Sequence, residues 1–161
     1  MKNTILITLF LTLTMTRIYG QDVETKKVSY ANTLIDVPKD YDSKDAYSIE
    51  SNLFSAQWLY LSKEMVEKGV QKQMIKQFEK QLKYSESSDI EFISNNAKFL
   101  GKKYQLKGDS NLKYKILAFG TIDGQPLILN MGFKENPTLD QEFDEVVKQF
   151  IQFKKQPKTA P

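Results

Sequence analysis

A chain of 161 residues, with 23 lysines and arginines against 20 acidic residues, has room for one domain with a real core, and it contains neither histidine nor cysteine. Those two absences remove the usual neutral-pH general base, the thiol nucleophile, the common zinc ligands and every disulfide. Arginine occurs only at Arg17; beyond residue 20 there are 21 lysines against 20 acids, too even a balance for the basic field that nucleic-acid binding uses.

Met1 to Gly20 reads as a cleaved export signal. Lys2 gives the positive start, Ile5 to Leu13 the short apolar core, and Gly20 the small residue ahead of polar Gln21-Asp22. Arg17 cuts the apolar run short of the ~20 residues a spanning helix needs, so no membrane span is expected after cleavage. Without a cysteine to carry lipid, the expected product is periplasmic or secreted and not a lipoprotein. Residues 21–27 are expected to form a flexible leader, 28–155 a single domain, and 156–161, with two prolines, a disordered tail.

Val28 to Val37 is β-prone and stops at Pro38, and Pro38 to Asp45 has the composition of a loop. Ala56 to Leu61 reads as a strand. The spacing of Val66, Val70, Met74, Phe78 and Leu82 predicts one long helix over Lys63 to Lys83, with Gly69 inside it at some local cost. Strands are expected at Ile90–Ser94, Lys98–Leu106, Leu112–Ile122 and Leu127–Phe133. The last two are joined at Asp123-Gly124, a dipeptide suited to a tight hairpin. Ile116 to Phe119 is apolar on both faces, so the sheet needs cover on both sides. A closing helix supplies part of it: Thr138 and Gln141 form a capping box, Asp140 and Glu142 fall in the first turn, and Phe143, Val146, Val147, Phe150 and Ile151 make the buried stripe. The expected fold is a three-layer α/β/α sandwich with a mainly antiparallel central sheet.

This order of elements resembles the PsbP-like superfamily, which includes the extrinsic P subunit of photosystem II, a Ran-binding nuclear import factor and DcrB-type bacterial envelope proteins. The matching features are an opening hairpin ending in Val37-Pro38, the long helix at Lys63 to Lys83, and a strand containing Gly101. A long hairpin through Asp123-Gly124 and a final helix with Phe143, Phe150 and Phe153 complete the match. The resemblance runs from about Val28 to Phe153 and implies an accessory or binding protein more readily than an enzyme. It carries no functional residue across.

Asp40, Asp42 and Asp45 fail the calcium-loop pattern, because Lys44 and Asp45 stand at positions five and six and Ser51 at twelve; a solvated turn is expected and no metal. Lys68, Lys72, Lys76 and Lys80 repeat every fourth residue and form a row that suits either solvent or an acidic partner. Tyr41, Tyr47 and Trp58 lie in an aromatic-rich stretch; Tyr41 and Tyr47 are open between packing and recognition, while Trp58 leans to the core. No carboxylate pair stands in an apolar setting and no Gly-x-Ser-x-Gly elbow occurs, so no catalytic or cofactor-binding residue is named. The leading expectation is an exported, non-enzymatic binding or accessory protein of the bacterial envelope that contacts another protein. A periplasmic immunity protein that neutralises a toxin is the alternative, and a small carboxylate-dependent hydrolase is third.

Overall fold

A computed structural model describes residues 27–138 and 141–153. The expected export signal, most of the leader and the 156–161 tail lie outside the described residues. Three tight turns organise the chain. Strands β1 (Lys27–Tyr30) and β2 (Thr33–Asp36) meet at Ala31-Asn32, β5 (Tyr84–Ser94) and β6 (Ala97–Leu106) at Asn95-Asn96, and β7 (Tyr114–Ile122) and β8 (Gln125–Phe133) at Asp123-Gly124. All six turn residues have positive φ, between 45° and 78°, as the right-twisted two-residue hairpin requires. Asn, Asp and Gly tolerate that region; Ala31 does not do so readily. Ala31 is held there by tertiary bonds, its N–H donating to Tyr60 Oη at 3.0 Å and its carbonyl accepting from Asn95 Nδ2 at 3.1 Å.

Strands β3 (Ser48–Glu50) and β4 (Phe54–Tyr60) complete a six-stranded antiparallel sheet of order β3-β4-β8-β7-β6-β5, while β1 and β2 pair only with each other. The chain is thus mostly antiparallel sheet with a few helices. The apolar character of β7 and β8 on both faces is used as expected. Ile116, Ala118, Leu127, Leu129 and Met131 join one core, and Leu117 and Ile128 the other.

The predicted single helix over Lys63 to Lys83 is corrected to two. Ser62 caps α1 (Lys63–Glu67) by accepting Met65 N–H at 3.2 Å. Gly69 then turns left-handed at φ 68° and becomes the N-cap of α2 (Val70–Gln81). Lacking a Cβ, glycine enters this conformation freely, and so a periodic apolar stripe continues across a broken backbone. Met74 and Phe78 of α2 cover Tyr104, Leu117 and Ile128. This helix-side face also carries Lys115, half-buried with its Nζ 5.7 Å from the Phe78 ring centre.

The opposite face is covered by elements of two kinds. Its cover is the β1–β2 hairpin together with one short helix, α3 (Glu145–Phe150). Tyr30, Trp58 and Phe150 interlock there, with ring centres 4.7 Å (Tyr30–Phe150), 5.3 Å (Tyr30–Trp58) and 5.5 Å (Trp58–Phe150) apart. The predicted start of the closing helix at Thr138 is also corrected. Asp144 is the cap, accepting Val147 N–H at 2.9 Å, and Phe143 precedes the helix, where it packs on Phe133 and Phe153. Gln141 N–H still donates to the Thr138 carbonyl at 3.2 Å, while Asp140 lies outside the described residues.

Gly101 of β6 stands opposite Ala118 of β7. A Cβ there would stand 2.5 Å from Ala118 Cα and 2.7 Å from its Cβ, so only glycine fits.

Candidate functional site

A surface hollow of about 600 Å³ lies at the tips of the β5–β6 and β7–β8 hairpins on the helix side of the sheet. Its place follows from element lengths. A 12-residue helix spans about 18 Å, whereas a nine-residue strand runs about 30 Å, so α2 cannot cover the whole length of β7. The uncovered strip leaves Leu100 of β6 55% exposed and Phe119 of β7 only half-buried. These two side chains are apolar walls of the hollow, and Asn95, Asn96, Lys98 and Asp123 bring polar groups to it. A smaller recess of about 180 Å³ adjoins it, sharing Phe119, Gly120 and Thr121 and reaching Val66 and Gln71 beneath the helices. Gly120 is kept bare by Phe99, whose ring stands where a Cβ would be. The result is an open depression whose surface is about equally polar and apolar, with Leu100 and Phe119 as its large apolar side chains.

Several titratable groups elsewhere are paired or packed. Lys102 Nζ donates to Glu79 Oε1 at 3.0 Å and Tyr104 Oη donates to the same oxygen at 3.3 Å, tying α2 to β6. That carboxylate holds the Lys102 ammonium above its usual range. Burial, reinforced by Glu79, raises the Tyr104 phenol well above the ordinary tyrosine range. Lys115 has no ion-pair partner among the described residues, and desolvation pushes its ammonium below the usual lysine range. Among the described residues no group of three or more acidic side chains is placed to hold a metal ion. Asp45 accepts Tyr47 N–H and Ser48 Oγ–H, each at 2.8 Å, and Asp42 pairs through its backbone with Glu50.

The residues singled out in the sequence are scattered by the fold. Trp58 is 1% exposed and its Nε1 donates to the Ser29 carbonyl at 3.2 Å, so it anchors the β1–β2 hairpin and offers no surface to a partner. Tyr41 is likewise inside, 6% exposed, donating to Asp144 Oδ2 at 2.7 Å. Burial, then the Asp144 carboxylate, raises the Tyr41 phenol far above its usual range. Tyr47 remains outside, 53% exposed, and meets Tyr60 edge-on at 6.4 Å between ring centres. Lys72, Lys76 and Lys80 share an exposed face of α2, while Lys68 closes α1 across the Gly69 break and pairs with Glu64. None of these residues lines the hollow.

Leu100 and Phe119 were missed in the sequence, although one signal was available. Leu100 shares its strand face with Lys98 and Lys102, and a leucine between two lysines on one strand face is a sign of a partly exposed position. No helix among the described residues is long and apolar enough to cross a membrane. No protein-family model, curated protein or solved structure matches the chain.

Proposed function

We propose that this is an exported, non-enzymatic binding or accessory protein of the bacterial envelope, acting through protein–protein contact at the hairpin-tip hollow. The single observation that carries the reading is the uncovered apolar strip of Leu100 and Phe119 with polar groups around it. A desolvated apolar centre inside a polar rim is the anatomy of a protein interface. Leu34, Leu53 and Tyr47, the other exposed large apolar side chains among the described residues, line neither this hollow nor the recess beside it. The sandwich arrangement of the PsbP-like superfamily belongs to the same proposal. Cover on both faces of an antiparallel sheet supports it, with a helix pair on one side and a hairpin plus a helix on the other.

The test compares the mature protein with Leu100→Asp and, as a surface control, Leu34→Asp, each used to recover partners from the native envelope. One stoichiometric partner held by the parent and by Leu34→Asp, and lost by Leu100→Asp, supports the reading. If that partner is a secreted toxin, the accessory role becomes an immunity role at the same surface. A partner held equally by all three proteins refutes the hollow as the contact.

A further inference from the structure

β5 is the one long open edge of the six-stranded sheet among the described residues. At the opposite edge, β3 has three residues, and Asp42 already closes on Glu50 through backbone bonds of 2.7 and 2.8 Å. The two-residue turn at Asn95-Asn96 sets the parity along β5. Ser94 and Ala97 flank that turn as the first hydrogen-bonded pair, so Phe92, Ile90 and Ser88 aim their backbone groups at β6. Ile93, Glu91, Asp89 and Ser87 therefore aim theirs outward. Ile93 bears this out: its N–H donates to the Gln152 carbonyl and its carbonyl accepts Gln152 N–H, both at 2.8 Å. The outward groups of Glu91, Asp89 and Ser87 have no such partner among the described residues.

Side-chain charge selects what can add there. β5 carries Glu86, Asp89 and Glu91 and no cation. Lys98 holds Glu91 at 2.7 Å, whereas Glu86 and Asp89 have no ion-pair partner among the described residues. A second copy of β5 laid alongside would bring acidic strand to acidic strand, which cross-strand pairing disfavours. A basic strand reverses the sign of that term while making the same main-chain ladder.

We propose that the outward edge of β5 at Ser87 to Glu91 receives an added strand from a partner protein, an extended lysine-bearing segment. The proposal shares with the hollow only the premise of protein contact. Its probes leave Leu100 untouched, so either can fail alone.

The experiment follows backbone amide exchange by NMR in the full-length protein, free and titrated with an eight-residue peptide of alternating lysine and threonine. Exchange at Ser87, Asp89 and Glu91 is expected to be fast in the free chain and at least tenfold slower with saturating peptide, with Ile90 unchanged. Asp89→Pro removes an outward N–H and no bond to β6, so it keeps the fold and abolishes the slowing. Asp89→Lys retains the N–H and is expected to weaken the basic peptide at least fivefold. No slowing at millimolar peptide, or undiminished binding by both variants, overturns the proposal. Slow exchange already present in the free chain, as an edge filled by residues 154–161 or by a second copy would give, overturns it too.

Discussion

Phe150→Ala is the sharpest probe of how the hairpin-side layer is joined to the sheet. Phe150 is fully buried, and its ring meets Tyr30 from β1 and Phe54 and Trp58 from β4, at 4.7, 5.9 and 5.5 Å between centres. One side chain thus connects α3, the hairpin and the sheet. Deleting a buried phenylalanine costs about 3–5 kcal/mol in transfer energy and residual cavity. The upper part of that range applies here, because the surrounding rings are themselves fixed: Trp58 Nε1 by the Ser29 carbonyl and the Tyr30 hydroxyl by Ser94 Oγ at 2.7 Å. Neighbours so tethered cannot collapse into the space. Against a total stability of about 5–15 kcal/mol the loss is a large fraction. Urea unfolding followed by the fluorescence of Trp58, the only tryptophan, measures it. The expected result is one cooperative transition with its midpoint moved down and its slope unchanged. A loss below about 1 kcal/mol, outside the range set by cavity formation, would instead mean a loosely docked layer and contradict the tethering described. Two separated transitions would refute it as well.

Other outcomes follow from the same packing. Asp144→Ala removes both the α3 cap and the acceptor for Tyr41, and is expected to cost about 2–3 kcal/mol. Tyr41→Phe removes only the second bond and should cost about 1 kcal/mol, so chemical denaturation separates the two roles. Lys115→Met is expected to stabilise by about 0.5–1 kcal/mol near neutral pH, because it relieves a half-buried ammonium with no anionic partner among the described residues. The Lys115 pKa is lower in the folded state than in the unfolded one, so its penalty is present below the folded value and fades as pH rises toward 10.5; the advantage of methionine should fade in parallel. Tyr30 runs the other way. Burial raises its phenol above the unfolded value of 10.0, so its contribution is intact below pH 10 and declines above it, by about 1.4 kcal/mol per pH unit until the folded phenol ionises. Absorbance titration should show Tyr30, Tyr41 and Tyr104 ionising only together with unfolding; smooth ionisation of every tyrosine near pH 10 in the folded protein would contradict their burial.

Strand positions were legible in the sequence where alternation and turn residues agreed. Asp123-Gly124 announces the β7–β8 hairpin, and the Met74–Phe78 spacing announces the helix that covers Leu117 and Ile128. What stayed hidden was geometric. Periodicity runs through Gly69 because side-chain spacing survives a left-handed break, whereas backbone direction does not. Thr138 and Gln141 have the right spacing for a capping box, but Asp144 wins the cap because its carboxylate serves Val147 and Tyr41 at once. That second bond spans a sequence separation no local pattern reports. The hollow was illegible for a similar reason. Apolar character on both faces of β7 says that cover is needed, and only the relative lengths of α2 and β7 show that it stops short of Phe119 and Leu100. Of the aromatic stretch, Trp58 shows how a large amphipathic ring is drawn inward when its N–H finds a carbonyl, here that of Ser29.

The most direct test of the account is a binding titration of the partner recovered from the envelope against the parent protein and Leu100→Asp, with urea midpoints recorded alongside. Affinity is expected to fall at least tenfold at an unchanged midpoint, because Leu100 is exposed and its loss removes little packing. Equal affinities, or turnover of an envelope substrate by the parent with no partner bound, would contradict it.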